Sequence, residues 1–316
     1  MSAEYKGIER ISVVTFNVRG LRNRTKRRAL FRHIRIKYKQ SIIVLQETHS
    51  TPSVELKWLS EWRGEMIFSH CSETGQAGVA MLFPVSYPHT TSKLFESNGR
   101  IICAQVENEN GSDPVVIVGV YGPAADDQSE KCVFISDLRE LLLRFDTSAL
   151  LLAGDLNIKL SKFDTDNDTF RCTRASNKLH DLMSEFALVD TWRFKHPTVR
   201  RYTWRRSNPR QQSRIDYIFA SSNLIENNVA DVRIDTGILS DHSFVYIDII
   251  LSAERRGPGI WRYNNSLLND ESHVESVREE IRKALSDSGI YSGVANTGLK
   301  VEMLLISIRV ITVKQK

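Results

Sequence analysis

Short, nearly continuous apolar runs separated by polar segments are the sequence feature that most constrains the fold. Runs of this kind are typical of β-strands that are covered on both faces. They occupy residues 11–16, 42–46, 78–83, 101–106, 115–121, 150–154, 214–220 and 244–251. Stretches with a helical spacing of apolar residues lie between some of them, at residues 25–39, 54–62, 129–144 and 174–186. Because strands and helices do not alternate strictly, the pattern predicts an α/β (α+β) fold of packed sheets with helices outside.

The strand pattern stops near residue 251, where a loop-like segment rich in charge, proline and glycine begins. Such segments commonly connect domains or elements rather than forming part of a core. We therefore predict one domain over residues 8–252, followed by a linker and a mostly helical extension over residues 253–316.

No segment of the chain has the length and apolar character of a transmembrane helix. The apolar stretch at residues 299–313 is interrupted by two cations and one acid, which makes it too short and too charged to span a bilayer. The N-terminal residues have no apolar run behind their charges, so a signal peptide is not expected. The four cysteines show neither C-x-x-C nor zinc-type spacing and are interpreted as reduced thiols. These features favour an intracellular protein without a membrane-spanning segment.

Positive charge is concentrated in two segments of the chain. Ten Lys and Arg residues and no acid lie in residues 19–39, and eight with no acid lie in residues 193–214. The remainder of the chain holds more acidic than basic residues, although the net charge of the whole is +5. This polarisation is typical of a polyanion-binding face on an acidic body. Solvated basic surfaces are the alternative interpretation of each segment taken alone.

Polar residues follow directly after several of the apolar runs. Side chains at strand ends can converge on one edge of a sheet while the apolar strand bodies hold them in place. The set contains carboxylates, carboxamides, a tyrosine and a histidine, which suits a hard cation and a phosphate. Its members are Asn17, Glu47, Tyr121, Asp155, Asn157, Asp216, Asp241 and His242.

These motifs, in this order over residues 11–251, resemble the endonuclease/exonuclease/phosphatase superfamily, whose members are DNase-I-like. Their sequences are most similar to the endonuclease domain that begins the second open reading frame of LINE-type non-LTR retrotransposons. The resemblance implies a two-sheet αβ sandwich with the active site at one edge. The matching segments are residues 15–21 (TFNVRGL), 45–49 (LQETH), 78–80 (GVA), 151–157 (LLAGDLN), 213–218 (SRIDYI), 239–243 (LSDHS) and 258–268 (PGIWRYNNSLL).

The resemblance also implies a role for each residue of the set. Glu47 is the expected principal ligand of Mg²⁺, with Mn²⁺ as a substitute, and Asn17 lies beside it. Asp155 and Asn157 orient the attacking water and the phosphate, and Asp155 is preferred as the general base over His242. We expect the remaining members to act at the phosphate or to support that histidine: Tyr121, Asp216, and Asp241 as the partner of His242.

The resemblance further implies that one DNA strand is nicked to leave a 3′-hydroxyl, which the reverse transcriptase of an intact element would use as a primer. DNA is the expected partner, and the nucleus the expected compartment. Arg19 departs from the pattern of many abasic-site enzymes, which have an acid at this position. Stacking aromatics and phosphate-binding cations are expected among the following residues: Arg19, Arg22, Arg24, Lys26, Arg27, Thr203, Trp204, Arg205, Arg206 and Arg214.

Two other classes of function stay open at this stage. A phosphatase or lipid phosphodiesterase of the same superfamily would prefer a small or membrane-bound phosphate and would not need the basic segments. A non-catalytic relic of a mobile element would bind nucleic acid without cleaving it. The acidic residues at 164–168 resemble a calcium loop but lack its glycine and glutamate, and are interpreted as a solvated loop. His49 and His196 are interpreted as structural or surface residues.

Overall fold

A computed structural model describes most of the chain and divides it into two compact units. The units are Met1–Arg255 and Arg256–Lys316, and each is described by itself. The described residues are 9–71, 77–85, 87, 91–107, 114–145, 149–167, 170–206, 211–225, 228–251, 271–286, 304, 305, 307 and 308.

The observed helices and strands include all of those expected from the apolar runs, to within two residues at each end. The strands are β1 (Glu9–Asn17), β2 (Ser41–Gln46), β3 (Met66–Ser69), β4 (Val79–Leu82), β5 (Thr91–Ser97), β6 (Ile101–Val106), β7 (Val115–Tyr121), β8 (Leu150–Asp155), β9 (Leu188–Asp190), β10 (Trp204–Arg206), β11 (Gln211–Ser213), β12 (Asp216–Ser221), β13 (Val229–Asp235) and β14 (Phe244–Leu251). The α-helices are α1 (Arg24–Lys37), α2 (Glu55–Trp62), α3 (Gln128–Leu142), α4 (Arg174–Glu185), α5 (Thr191–Lys195), α6 (Ser222–Ile225) and, in the second unit, α7 (Glu271–Leu285). Short 3₁₀ helices span Pro52–Val54 and Lys162–Asp164.

Six strands were not expected from the sequence: β3, β5, β9, β10, β11 and β13. Of these, β3, β5, β9 and β13 lie at sheet edges, while β10 and β11 form a separate two-stranded sheet. Strand β5 is largely exposed and β13 is buried on one face only, so their residues do not form the continuous apolar run that marks a buried strand.

Two six-stranded sheets form the centre of the first unit. One has the order β13-β14-β1-β2-β4-β3, and the other has the order β5-β6-β7-β8-β12-β9. The β1–β2 and β7–β8 pairs are parallel, whereas the other neighbours in both sheets are antiparallel. Parallel neighbours end at the same edge of a sheet, so the loops that follow β1 and β2 are brought together, as are those after β7 and β8.

Successive side chains along each strand point to opposite faces of the sheet, and those that are buried form three apolar clusters. Val13 and Val44 point into a cluster shared by both sheets, while their neighbours Val14 and Leu45 join a second cluster with helices α1 and α2. A third cluster lies between the other sheet and helices α3 and α4. Each fully buried aliphatic side chain contributes about 1.5–3 kcal/mol to stability. The result is the expected two-sheet sandwich with helices on the outside.

The described part of the second unit contains the helix α7, as expected for a helical extension. The linker expected at residues 253–259 lies outside the described residues, as does most of the apolar stretch at 299–313. Among the described helices, none has both the length and the apolar character that crossing a bilayer requires.

Candidate active site

One edge of the sandwich brings together polar residues from both sheets. Asn17, at the end of β1, pairs with Gln46 at the end of the parallel strand β2. In the other sheet, Tyr121 at the end of β7 pairs with Asp155 at the end of the parallel strand β8. Asp216 begins the antiparallel strand β12 and also pairs with Asp155. A hydrogen bond from the Asn17 side chain to Asp155 connects the two sheets at this edge.

Asn17 is a buried amide that lies between two carboxylates. Its Nδ2 donates to Oε1 of Glu47 and to Oδ2 of Asp155, at 2.9 Å in each case. Its Oδ1 accepts a hydrogen bond from the backbone N–H of Arg19 at 3.0 Å. One side chain therefore sets the spacing of two acids that are 108 residues apart, in β8 and directly after β2.

Glu47 has a second donor and an unusual backbone. The hydroxyl of Tyr121 donates to Glu47 Oε1 at 3.0 Å. Burial, and then the charge of Glu47, raise the pKa of this phenol, which therefore stays a donor at neutral pH. The φ angle of Glu47 is 52°, a left-handed conformation that non-glycine residues seldom adopt outside sites where the surrounding structure enforces it. Oε2 of Glu47 accepts no hydrogen bond from any described residue and lies 4.0 Å from Nε2 of His49.

Asp155 is almost completely buried at the centre of the site. Its Oδ1 accepts from the backbone N–H of Asn157 at 2.9 Å, and the Asn157 side chain donates to the carbonyl of Gly122 at 3.1 Å. Burial, and then the negative charge of Asp216, raise the pKa of Asp155 to about 7. A carboxyl group with such a pKa exchanges protons near neutrality, which is the property a general base or acid needs.

His242 is buried and oriented by Asp216. Its Nδ1 lies 2.9 Å from Oδ2 and 3.1 Å from Oδ1 of Asp216, while its Nε2 lies 3.9 Å from Oδ2 of Asp155. Burial lowers the pKa of this imidazole, but the charge of Asp216 and its hydrogen bond outweigh burial and raise the pKa to about 9. His242 is therefore protonated at neutral pH and presents an N–H at Nε2 towards the site.

The expected pairing of His242 with Asp241 is a long ion-pair contact and not a hydrogen bond. Oδ1 of Asp241 lies 4.0 Å from His242 Nε2, beyond hydrogen-bond distance. Its Oδ2 instead accepts from Arg19 at 2.6 Å and from the indole N–H of Trp204 at 3.0 Å. Asp241 is thus directed to a cation at the rim of the site, because the side chain that reaches Nδ1 of the imidazole comes from β12.

Thr203 was expected to contact DNA, but it is fully buried. Its Oγ1 accepts from the backbone N–H groups of Ile215 and Asp216 at 3.1 Å, and its carbonyl accepts from the backbone N–H of Ser243 at 2.7 Å. Thr203 therefore fixes the start of β12, and through Asp216 the histidine, rather than facing a ligand.

Two residues that support the site were not singled out in the sequence. Ser240 donates to the backbone carbonyl of Asn17 at 2.8 Å and accepts from the backbone N–H of His242 at 3.2 Å. Gly237 lies so close to the histidine loop that a Cβ atom there would be 1.9 Å from the carbonyl oxygen of His242. The Ser-x-His spacing of residues 240 and 242 can be read from the sequence and could have pointed to Ser240. The need for glycine at position 237 cannot, because it depends on a tertiary contact.

Two groups of donors at this edge could hold a cation. Ligand atoms of Asp155, Asp216 and His242 lie within 4.8 Å of one another. However, Nδ1 of His242 already bonds to Asp216, so this group is better described as a hydrogen-bonded cluster of ionisable side chains. Glu47 offers a carboxylate oxygen that no described residue occupies with a hydrogen bond, and such oxygens are what Mg²⁺ prefers. The carboxylate of Glu47, with Asn17 beside it, therefore fits a divalent cation.

Two of the expected DNA-binding cations are structural instead. Arg27 is buried and donates to both carboxylate oxygens of Glu61, at 2.6 and 3.0 Å. Arg214 is buried and donates to Asp164 at 2.7 Å and to Asp190 at 3.0 and 2.6 Å. Neither guanidinium is accessible to a phosphate, because each is enclosed with acids from other elements.

The other expected DNA-binding residues reach the surface to different extents. Lys26 is partly buried and donates to the backbone carbonyls of Val18 and Arg19, so it holds the loop after β1. Trp204 and Arg205 are partly buried next to the histidine loop, where Arg205 donates to the Ser243 hydroxyl at 3.2 Å. The exposed members are Arg19, Arg22, Arg24 and Arg206.

The interpretation of residues 164–168 as a solvated acidic loop is wrong for Asp164. This residue is fully buried and accepts from Arg193 and Arg214, both at 2.7 Å. Asp168 lies outside the described residues. Asp164 therefore holds Arg214, which lies just before β12, and does not face solvent.

Residues 14–242 match the model of the Endonuclease/Exonuclease/phosphatase family. A curated relative is the Transposon TX1 uncharacterized 149 kDa protein of Xenopus laevis, which is 32% identical over 276 residues, 86% of this chain and 20% of that protein. The chain thus spans about a fifth of this relative.

Solved structures with the same fold include AP endonuclease LMAP from Leishmania major, with a TM-score of 0.67 and 18% identity over 77% of this chain and 88% of that one. The endonuclease domain of TRAS1, a telomere-specific non-LTR retrotransposon, has a TM-score of 0.57 and 16% identity over 76% of this chain and 99% of that one. At these identities the likeness establishes the fold alone. The expected resemblance to the superfamily and to retrotransposon endonuclease domains is confirmed. With most of its length matched by the family model, this chain belongs to the Endonuclease/Exonuclease/phosphatase family.

Proposed function

We propose that this chain is a divalent-metal-dependent endonuclease that nicks one strand of DNA and leaves a 3′-hydroxyl. The observation that carries the proposal is the bridge made by Asn17, whose amide holds Glu47 and Asp155 together at 2.9 Å on either side. It brings an expected metal ligand next to a buried acid with a near-neutral pKa. The similarity to a transposon protein and the nuclease fold favour DNA as the substrate.

In this proposal Glu47, with Asn17 beside it, holds Mg²⁺, and Mn²⁺ can substitute because it also accepts oxygen ligands. The ion supplies Lewis-acid stabilisation of the charge that develops on the phosphate and on the leaving oxygen. Tyr121 donates to Glu47 and so keeps the carboxylate in one orientation. Glu47 has a left-handed backbone conformation, and its side chain contacts Asn17 and Tyr121.

Asp155 accepts a proton from the attacking water, since its raised pKa brings it into the range of an efficient base. Asn157, fixed by its bond to the Gly122 carbonyl, orients the water and the phosphate. His242 is cationic at neutral pH and donates from Nε2 to a phosphate oxygen, while Asp216 holds the ring. A cation with an N–H donor stabilises the negative charge that grows in the transition state.

Exposed cations near this edge would bind the flanking phosphates, because Arg19, Arg22 and Arg206 face solvent. In an intact mobile element, the 3′-hydroxyl at the nick would prime a reverse transcriptase, and the substrate would be nuclear DNA. Those steps belong to the proposal and rest on the similarity to the transposon protein.

A supercoiled-plasmid assay tests the proposal directly. Wild type should convert the plasmid to open circles with Mg²⁺ and leave it intact with EDTA. Glu47→Gln should lose this activity, whereas Glu140→Gln, an exposed acid on α3, should keep it. Ligation of the open circles by DNA ligase requires a 3′-hydroxyl and a 5′-phosphate, and so checks the chemistry of the nick. Intact plasmid under all conditions, with turnover of a small phosphate ester, would favour a phosphatase instead.

A further inference from the structure

A second concentration of positive charge lines a cavity in the outer helical layer. The cavity has a volume of about 450 Å³ and lies between helix α1 and the end of helix α2. Five arginines and a single acid contribute to its walls. The lining residues are Arg24, Arg28, Ala29, Arg32, Arg35, Ser60, Glu61 and Arg63. We call this cavity the arginine pocket.

The spacing of its arginines along α1 explains how the pocket forms. Arg24, Arg28, Arg32 and Arg35 are separated by four, four and three residues, so they share one face of the helix. A different face of α1 packs on the sheet through its buried apolar residues, which are Leu30, Phe31 and Ile34. On the arginine face, Arg24, Arg28 and Arg32 are exposed, whereas Arg35 is partly buried over the ring of Trp62.

The single acid of the pocket does not balance its charge. Glu61 already accepts two hydrogen bonds from the buried Arg27, which is not part of the lining. Arg28 and Arg32 are exposed and form no ion pair with any described residue. Burial, and then the charge of Arg63, lower the pKa of the Arg35 guanidinium. The cations of the pocket thus repel one another, and an anion that entered would relieve the repulsion.

We propose that the arginine pocket binds the phosphate backbone of DNA beside the cleavage site. Guanidinium groups form paired hydrogen bonds with phosphate oxygens, and the five cations of the pocket are all arginine. Helix α1 begins at Arg24, directly after the loop that carries the exposed Arg19 and Arg22 at the rim of the site. Cations at the rim of the site and at the start of the pocket thus belong to one short stretch of chain, residues 19–24.

The length of the arginine face sets the length of DNA that can use it. Eleven residues separate Arg24 from Arg35, which corresponds to about 16 Å of helix at about 1.5 Å per residue. About five base pairs of duplex span that distance at about 3.4 Å per pair. A duplex that only fills the active site should therefore not reach the far end of the pocket. This inference rests on the proposed function for the identity of the anion.

Binding of a fluorescein-labelled duplex, measured by anisotropy in EDTA, tests the pocket without any need for cleavage. The variant Arg28→Glu/Arg32→Glu changes two exposed cations of the pocket. The matched control, Arg171→Glu/Arg174→Glu, makes the same change of charge at two exposed arginines at the start of helix α4, outside the pocket. Thermal unfolding should be similar for both variants and wild type, because all four side chains are exposed.

With a duplex of about 30 base pairs, the pocket variant should bind at least about tenfold more weakly than wild type at about 100 mM salt. Its plot of log affinity against log salt should be less steep by about two, since each phosphate contact contributes about 0.9. The control should change both quantities much less.

Equal loss of affinity in the pocket variant and the control would overturn the proposal, because it would show a diffuse effect of charge. Unchanged affinity of the pocket variant for the long duplex would overturn it as well. Plasmid nicking by wild type is measured separately with Mg²⁺. If wild type nicks the plasmid but the pocket variant binds DNA normally, only the proposed role of the pocket is refuted. If wild type binds DNA through the pocket but does not nick the plasmid, only the proposed endonuclease activity is refuted.

Discussion

Nδ1 of His242 lies 2.9 Å from Oδ2 of Asp216, and this contact joins the loop before β14 to the start of β12. The carboxylate raises the pKa of the imidazole to about 9, although burial alone would lower it. The same carboxylate contributes, after burial, to the raised pKa of Asp155. Asp216 therefore tunes an expected acid and an expected base together.

Replacement of Asp216 by Asn should move both limbs of the pH profile of nicking to lower pH. Loss of the negative charge lowers the pKa of His242 towards its ordinary value of 6.5 and also lowers the pKa of Asp155. Activity at high pH, which needs the protonated histidine, should decline earlier in the variant. The measurement is kcat/KM between about pH 5 and 10. An unchanged profile would contradict the assignment, and Asp231→Asn, on the edge strand β13, is the control.

Asp155→Asn should reduce nicking by about 10²–10⁴-fold, the usual contribution of a general base. The amide keeps the size of the side chain and can still accept from Asn17, but it cannot take a proton. DNA affinity in EDTA should change little, because the exposed cations are untouched. Parallel loss of affinity and of nicking would show that Asp155 acts in binding rather than in the chemical step.

The variant Asp155→Asn should also stabilise the metal-free chain against unfolding at neutral pH. Because the pKa of Asp155 rises from 3.8 to about 7 on folding, the folded chain holds this proton more tightly than the unfolded chain. Wild type therefore loses stability as the pH rises from about 4 to 7, and the uncharged amide of the variant avoids that loss. We expect a gain of about 2 kcal/mol at about pH 7.5, given about 1.4 kcal/mol per pKa unit and some loss of hydrogen bonding.

Chemical denaturation with EDTA present measures that difference. At about pH 4 the gain should largely disappear, since Asp155 is then protonated in the folded wild type as well. Asp126→Asn, at a fully exposed acid, should show no such dependence on pH. A gain of equal size at both pH values would mean that the charge of Asp155 is not its source.

Arg214→Ala should destabilise the fold by about 3–5 kcal/mol, because it removes the cation that pairs with Asp190 and one of the two that pair with the buried Asp164. Arg206→Ala, at an exposed arginine in β10, should leave stability almost unchanged and weaken DNA binding instead. Urea denaturation and anisotropy titrations of the two variants separate these effects. Normal stability of Arg214→Ala would contradict the buried ion-pair network described for it.

The sequence alone determined where the buried strands lie and which polar residues follow them. A strand covered on both faces must be apolar along its whole length, so β1, β2, β7 and β8 are visible as runs of apolar residues. The order of Asn17, Glu47, Asp155 and His242 in their motifs then pointed to the family. Edge strands such as β13 were not predicted, because only one face of such a strand is buried and apolar.

Only the tertiary structure decided which charges are buried and what they contact. Arg27 and Arg214 look like surface cations within basic segments, yet each pairs with an acid far away in the sequence: Glu61 for one, Asp164 and Asp190 for the other. His242 bonds to Asp216 and not to the adjacent Asp241. The physical reason is that a charge is stabilised by whatever lies within a few ångströms of it, and the packing of distant strands and helices decides those neighbours.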